Sequence, residues 1–268
     1  MSGARVRIPY ALVATTGVLM ALAAAAGIAL PSAYRDPAWI EAAWLGSDIV
    51  TLFVAVPLLA LGLVLARRGS RAGELLVCAM LGYAVYGYAY YLFGASLNVW
   101  FPLHVAIVVT AIVGLAVTLA RADAAAVASG FAAGTPARVV AGYLALTGVG
   151  LGSAWLAQWA AYVFGGVRPS VGVDAFALVA ALDMTLIVPF MVFAGVLLWR
   201  RRPWGFVLGA MMAVKGATYT LGLTASSAVG ATRGIAGSAE QIPVWGAWTA
   251  IGLAACVLLF RGLAPRKA

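Results

Sequence analysis

Eight long apolar runs constrain this chain more than any other feature. They fall at roughly 8–31, 46–66, 74–98, 102–120, 138–163, 174–199, 205–228 and 243–261. Each is near or above the ~20 residues a helix needs to cross the hydrocarbon core of a bilayer. Backbone polar groups must bond among themselves there, and runs of this length do so as helices. Of the 268 residues, 65% are hydrophobic and 9% charged, which excludes a disordered chain and leaves no useful soluble domain between the runs. The expected fold is all-α: a polytopic helical membrane protein with about eight transmembrane helices.

The basic residues test that count. Arg5 and Arg7 precede span 1. Arg67, Arg68 and Arg71 lie between spans 2 and 3, Arg121 and Arg138 between 4 and 5, and Arg200, Arg201 and Arg202 between 6 and 7. Arg261, Arg266 and Lys267 follow span 8. Thirteen of the 17 cations thus share one side, Arg35, Arg168 and Arg233 mark the other, and Lys215 alone lies within a span. The positive-inside rule makes both termini cytoplasmic and the protein a multi-pass resident of the cytoplasmic (plasma) membrane. The net charge of +9 sits at helix ends, where it serves topology and anionic-lipid contact rather than nucleic acid. Span 1 reads as a retained helix, because its apolar run exceeds a signal peptide's and no A-x-A exit precedes Arg35. The alternative is a seven-span mature form. Cys78 and Cys256 lie inside apolar runs, form no CxxC pair, and read as inert packing residues.

Spans 2–3 resemble spans 6–7. Asp48, Pro57 and Arg67 parallel Asp183, Pro189 and Arg200, about half a chain apart. This suggests a 4+4 duplication, with residues 1–120 as one half, 121–137 as a cytoplasmic linker and 138–268 as the other. Four spans per half is an even number, so the halves would run parallel about an axis along the membrane normal.

Two charged residues stand deep within the apolar runs. Lys215 lies mid-way along span 7 and Asp183 about a third of the way along span 6. A lone charge is costly at that depth, so such residues pair and face a protein interior or cavity. At 1.5 Å per residue the two lie roughly one turn apart in depth, which predicts an ion pair between neighbouring helices. Tyr83, Tyr86 and Tyr90 recur at helical spacing on one face of span 3, too deep for an interfacial belt. Together with Tyr219 they are expected to line a pocket that opens outward. Asp48, Asn98 and His104, Trp155 and Gln158, and Glu240 and Gln241 form the expected outer layer of that pocket. Asp48 reads as a helix N-cap with Thr51 one turn on. His104, just after Pro102, reads as a solvated interfacial histidine. Pro57 and Pro189 free the carbonyls of Phe53 and Thr185.

The chain contains no HExxH, GxSxG, Walker A or DxD motif, and one histidine cannot build a His-based metal or haem site. No metal or cofactor is assigned. A retinal Schiff base on Lys215 fits poorly in the penultimate span. Three functions stay open. The first is a small transporter, permease or binder with an outward-facing aromatic pocket around the Asp183–Lys215 pair, its partners the lipid bilayer and a small-molecule or lipid ligand. The second is an intramembrane enzyme acting on a lipid or quinone, with Asp183 as acid–base. The third is an accessory subunit whose pair is structural.

Overall fold

A computed structural model describes residues 9–169 and 171–263. The cations Arg5, Arg7, Arg266 and Lys267 lie outside the described residues. Eight helices are long and apolar enough to cross a membrane: α1 (Tyr10–Ala29), α2 (Ala38–Arg67), α3 (Arg71–Gly94), α4 (Phe101–Ala120), α5 (Ala137–Gly165), α6 (Val173–Trp199), α7 (Pro203–Thr232) and α8 (Ser238–Phe260). No strand occurs among the described residues; one isolated bridge joins Phe131 to Leu263. The array has the architecture of a multi-pass membrane protein. Its outer surface carries exposed Val18, Phe53, Phe93 and Leu146, side chains that hydrocarbon suits and water does not.

Helices α3 and α7 form the centre. Buried residues make up 67% and 72% of their most apolar stretches, against 22–33% elsewhere. They pack on each other; α7 also packs on α2, α6 and α8, and α3 on α2, α4 and α6. Around them α1 meets α2 and α4, and α5 meets α6 and α8. Helix α2 begins at Ala38, eight residues before the apolar run that announced it. Its first turns mix Trp39, Glu41 and Trp44, so hydropathy understates them. Pro37 stands at its N-terminus.

Proline shapes α2 and α6 in the same way. Pro57 and Pro189 lack the N–H that would bond the carbonyl four residues back. The turn before each widens. Thr51–Ala55 and Asp183–Ile187 are π-helical, and the Val56 and Val188 N–H groups reach back to the Thr51 and Asp183 carbonyls. The helix ends match as well. Arg68 and Arg200 close their helices at φ −80°, ψ 5°. Next come Gly69 at φ 79° and Arg201 at φ 50°. The left-handed region suits glycine; Arg201 is tied there by its guanidinium, which donates to the Thr135 carbonyl at 2.8 Å. A Cβ on Gly73 would strike the backbone of Ala66, and one on Gly205 that of Leu197 and Leu198. These glycines let α3 and α7 lie hard against the helices they follow.

The segment from 121 to 137 is folded. Asp123 caps the short helix Ala124–Ala128, accepting from Ala126 N–H at 2.9 Å. That helix packs on α7, and Phe131 stacks on Phe206 at 4.7 Å.

Candidate functional site

The π turn of α6 starts at Asp183, and its extra residue re-aims the side chains around it. Asp183 is buried between α3 and α5, and both its oxygens are occupied. The Tyr86 hydroxyl donates to Oδ1 at 2.7 Å and the Trp155 indole N–H to Oδ2 at 2.9 Å. The Tyr86 and Tyr219 hydroxyl oxygens are 3.3 Å apart. A phenol has one proton, and that of Tyr86 is committed to the carboxylate, so Tyr219 donates in the second bond.

Lys215 is 3% exposed. Its Nζ lies 3.7 Å from the Tyr86 ring centroid and 4.6 Å from that of Tyr219. The two rings meet edge to face at 5.0 Å and 89°. The ammonium therefore rests in an aromatic corner, held by ring quadrupoles. Among the described residues no oxygen accepts a hydrogen bond from it. The expected direct ion pair is absent: Asp183 and Lys215 are not in salt-bridge contact, whereas Arg233 and Glu41 are, at 3.9 Å. Tyr86 stands between them, its ring on the cation and its hydroxyl on the anion.

A cavity of about 310 Å³ reaches this centre. Lys215 and Tyr86 line it, with Ile112 and Leu119 of α4, Phe190 of α6 and Met212 of α7. Leu119 lies two residues before Arg121, so from Lys215 the cavity runs toward the helix ends that carry the basic loops. The outward-opening pocket was expected on the opposite side of Lys215. The reversal has a packing cause: on that side Tyr86, Tyr219, Trp155 and Asp183 close on one another, while α4 and α6 are not packed neighbours on the other.

The remaining candidates separate. Tyr83 does not line the cavity; its hydroxyl shares a 2.8 Å hydrogen bond with Thr51. Tyr90 sets its ring against the Trp44 edge at 5.0 Å. The outer layer does not converge either. Asn98 bridges the Ser96 carbonyl and the Trp100 N–H, each at 2.9 Å. Gln158 reaches only the Ala154 carbonyl, at 3.4 Å, and Gln241 accepts from Trp245 at 3.2 Å. Glu240 is exposed in the first turn of α8. Trp159 and Trp248 are 48% and 37% exposed, a surface belt rather than a wall. Of the outer layer, only Trp155 touches the centre.

Asp48 is no N-cap, because α2 starts ten residues earlier. It is 1% exposed and accepts from Tyr34 at 2.8 Å and Tyr91 at 2.9 Å. Tyr34 lies in the α1–α2 connection; burial first, and then the Asp48 carboxylate, push its phenol well above the ordinary range, which keeps it a donor. His104 is buried rather than solvated, its ring 5.1 Å from that of Tyr91 and 5.8 Å from that of Tyr88. Sequence reading missed this second carboxylate–phenol cluster. The signal was there: Asp48 lies in an apolar run, and Tyr88 and Tyr91 interleave with the tyrosines of the other face.

The chemistry on offer is donation. Each Asp183 oxygen already accepts from a neutral donor, whereas Lys215 has three N–H groups and no acceptor among the described residues. Among the described residues no group of three His, Cys, Asp or Glu side chains is placed to hold a metal ion. No family model, curated protein or solved structure matches the chain.

Proposed function

We propose that this protein resides in the cytoplasmic (plasma) membrane and binds a small amphiphile at the Asp183–Tyr86–Lys215 centre, as a transporter, permease or binder. One observation carries the reading. A buried ammonium without an acceptor ends in an apolar cavity. Removing such an ion from water costs several kcal/mol, and a ligand acceptor offsets part of that cost. A purely structural pair would close directly. Each Asp183 oxygen already accepts from a neutral protein donor, an arrangement that favours binding over acid–base turnover.

Native mass spectrometry of the purified chain tests this. The wild type is expected to retain a small molecule that is lost in Lys215→Met. Identical spectra from the two proteins would reject the reading.

We infer further that both termini are cytoplasmic. Supporting this, Arg67, Arg68, Arg71, Arg121, Arg138, Arg200, Arg201, Arg202 and Arg261 fall where successive helices turn on one side, and Arg35, Arg168 and Arg233 on the other. A parallel 4+4 duplication is also proposed. In its favour, the π turns at Thr51 and Asp183, the prolines 57 and 189, the closing residues Arg68 and Arg200, and the tight glycines 73 and 205 are each separated by 132 residues. In this register Asp183 answers to Thr51 rather than to Asp48, and Lys215 answers to Tyr83. The Thr51–Tyr83 hydrogen bond then occupies in one half the place of the ionised centre in the other.

A further inference from the structure

We propose that the cavity takes a neutral quinone-class molecule, a ring carbonyl carrying an apolar tail, which enters sideways from the bilayer between α4 and α6. This rests on the binding role proposed above and names its ligand.

Access comes first. Ile112 and Phe190 line the cavity yet are 49% and 44% exposed, so they form its rim on the apolar outer surface. The mouth opens onto hydrocarbon rather than water. Depth comes second. Lys215 lies 13 residues along α7 from Arg202, roughly 20 Å at 1.5 Å per residue, within a core ~30 Å thick. Headgroup-bearing lipids keep their polar ends at the boundary, so their carbonyls do not reach that level. Charge comes third. Among the described residues Lys215 is the one charged side chain that lines the cavity, and Asp183, behind the lining, is joined to it through Tyr86 so that the two sum to zero. An anionic ligand would leave the centre with uncompensated negative charge at low dielectric. A neutral carbonyl does not, and it still accepts from Nζ. The rest of the lining is apolar, matching a ring and tail. No chemical step is invoked, only binding.

The test is calorimetric titration of the purified full chain in detergent. The probes share a ten-carbon tail: decyl-benzoquinone, decanoate and decyltrimethylammonium. Saturable one-to-one binding is expected for the benzoquinone alone. It should weaken about tenfold or more in Lys215→Met, the weight of one charge-assisted hydrogen bond. A similar loss is expected in Ile112→Trp, which blocks the exposed rim while leaving the centre's packing intact. Tighter binding of decanoate, lost in Lys215→Met, would overturn the ligand class and leave the binding role standing. Equal quinone uptake by all variants would mean micelle partition and overturn the proposal. No saturable binding of any probe also overturns it; if native spectra show no bound molecule either, the binding role falls with it.

Discussion

Tyr86 does the work that a direct ion pair was expected to do. Its ring supports the Lys215 ammonium and its hydroxyl serves the Asp183 carboxylate. Tyr86→Phe keeps the ring and removes the hydroxyl, leaving a buried carboxylate oxygen without its donor. We expect a loss of about 1–3 kcal/mol in unfolding stability. Tyr219→Phe removes only the longer 3.3 Å bond between phenols and should cost about 1 kcal/mol or less. Chemical unfolding in detergent measures both, and the reverse order would show that Tyr86 is not the link. A double-mutant cycle of Tyr86→Phe with Asp183→Asn should give a coupling of about 1 kcal/mol or more, because one change removes and the other discharges the same charge-assisted hydrogen bond. The charged residues were legible in sequence because an ion in an apolar run is conspicuous. Their mode of contact was not, since it depends on which neighbour's side chain fills the space between two helices. His104 shows the same limit. Its place beside Pro102 suggested a wet boundary, yet Tyr88 and Tyr91 of the preceding helix cover it.

At the scale of elements, apolar length and basic punctuation located all eight helices, and the errors fell where amphipathic turns extend them. The start of α2 at Ala38 is the clearest case, and it turned the supposed cap Asp48 into a buried interior residue. The prolines announced a break, but a kink and a π turn look alike in sequence. The tight helix pairs rest on glycine, and the space around each glycine separates packing from mere composition. At Gly73 and Gly205 a methyl group meets backbone, which cannot step aside. Gly73→Ala and Gly205→Ala are each expected to destabilise by about 1–3 kcal/mol through forced separation of the helices. Gly150 lies mid-helix, exposed, with nothing within 4 Å of a Cβ. Gly150→Ala should be neutral or stabilise by up to about 1 kcal/mol, by helix propensity alone. Thermal unfolding of the three variants decides this. A destabilised Gly150→Ala alongside two silent partners would mean that the helices do not cross where these glycines bring them together.

For the whole molecule, the two most buried helices come one from each half of the chain, and each follows a π-bulged, proline-bearing neighbour through a basic turn. If the halves are parallel copies, α3 and α7 cross the membrane in the same direction, and both basic turns must lie on one side. Orientation follows from the cations. Loops that hold arginine clusters resist translocation, and here the clusters recur at every second connection. The long connection from 121 to 137 falls on that same side, as a duplication of an even number of helices requires. Reporter fusions after residues 37, 70, 130, 170, 202 and 235 should therefore read out, in, in, out, in, out. The pair at 70 and 202 is the sharpest part of the test, since both sites sit in the matched turns. An outside signal at both would invert the protein while keeping the halves parallel. Opposite signals at the two would make the halves antiparallel and end the 4+4 reading, whatever the match between their π turns.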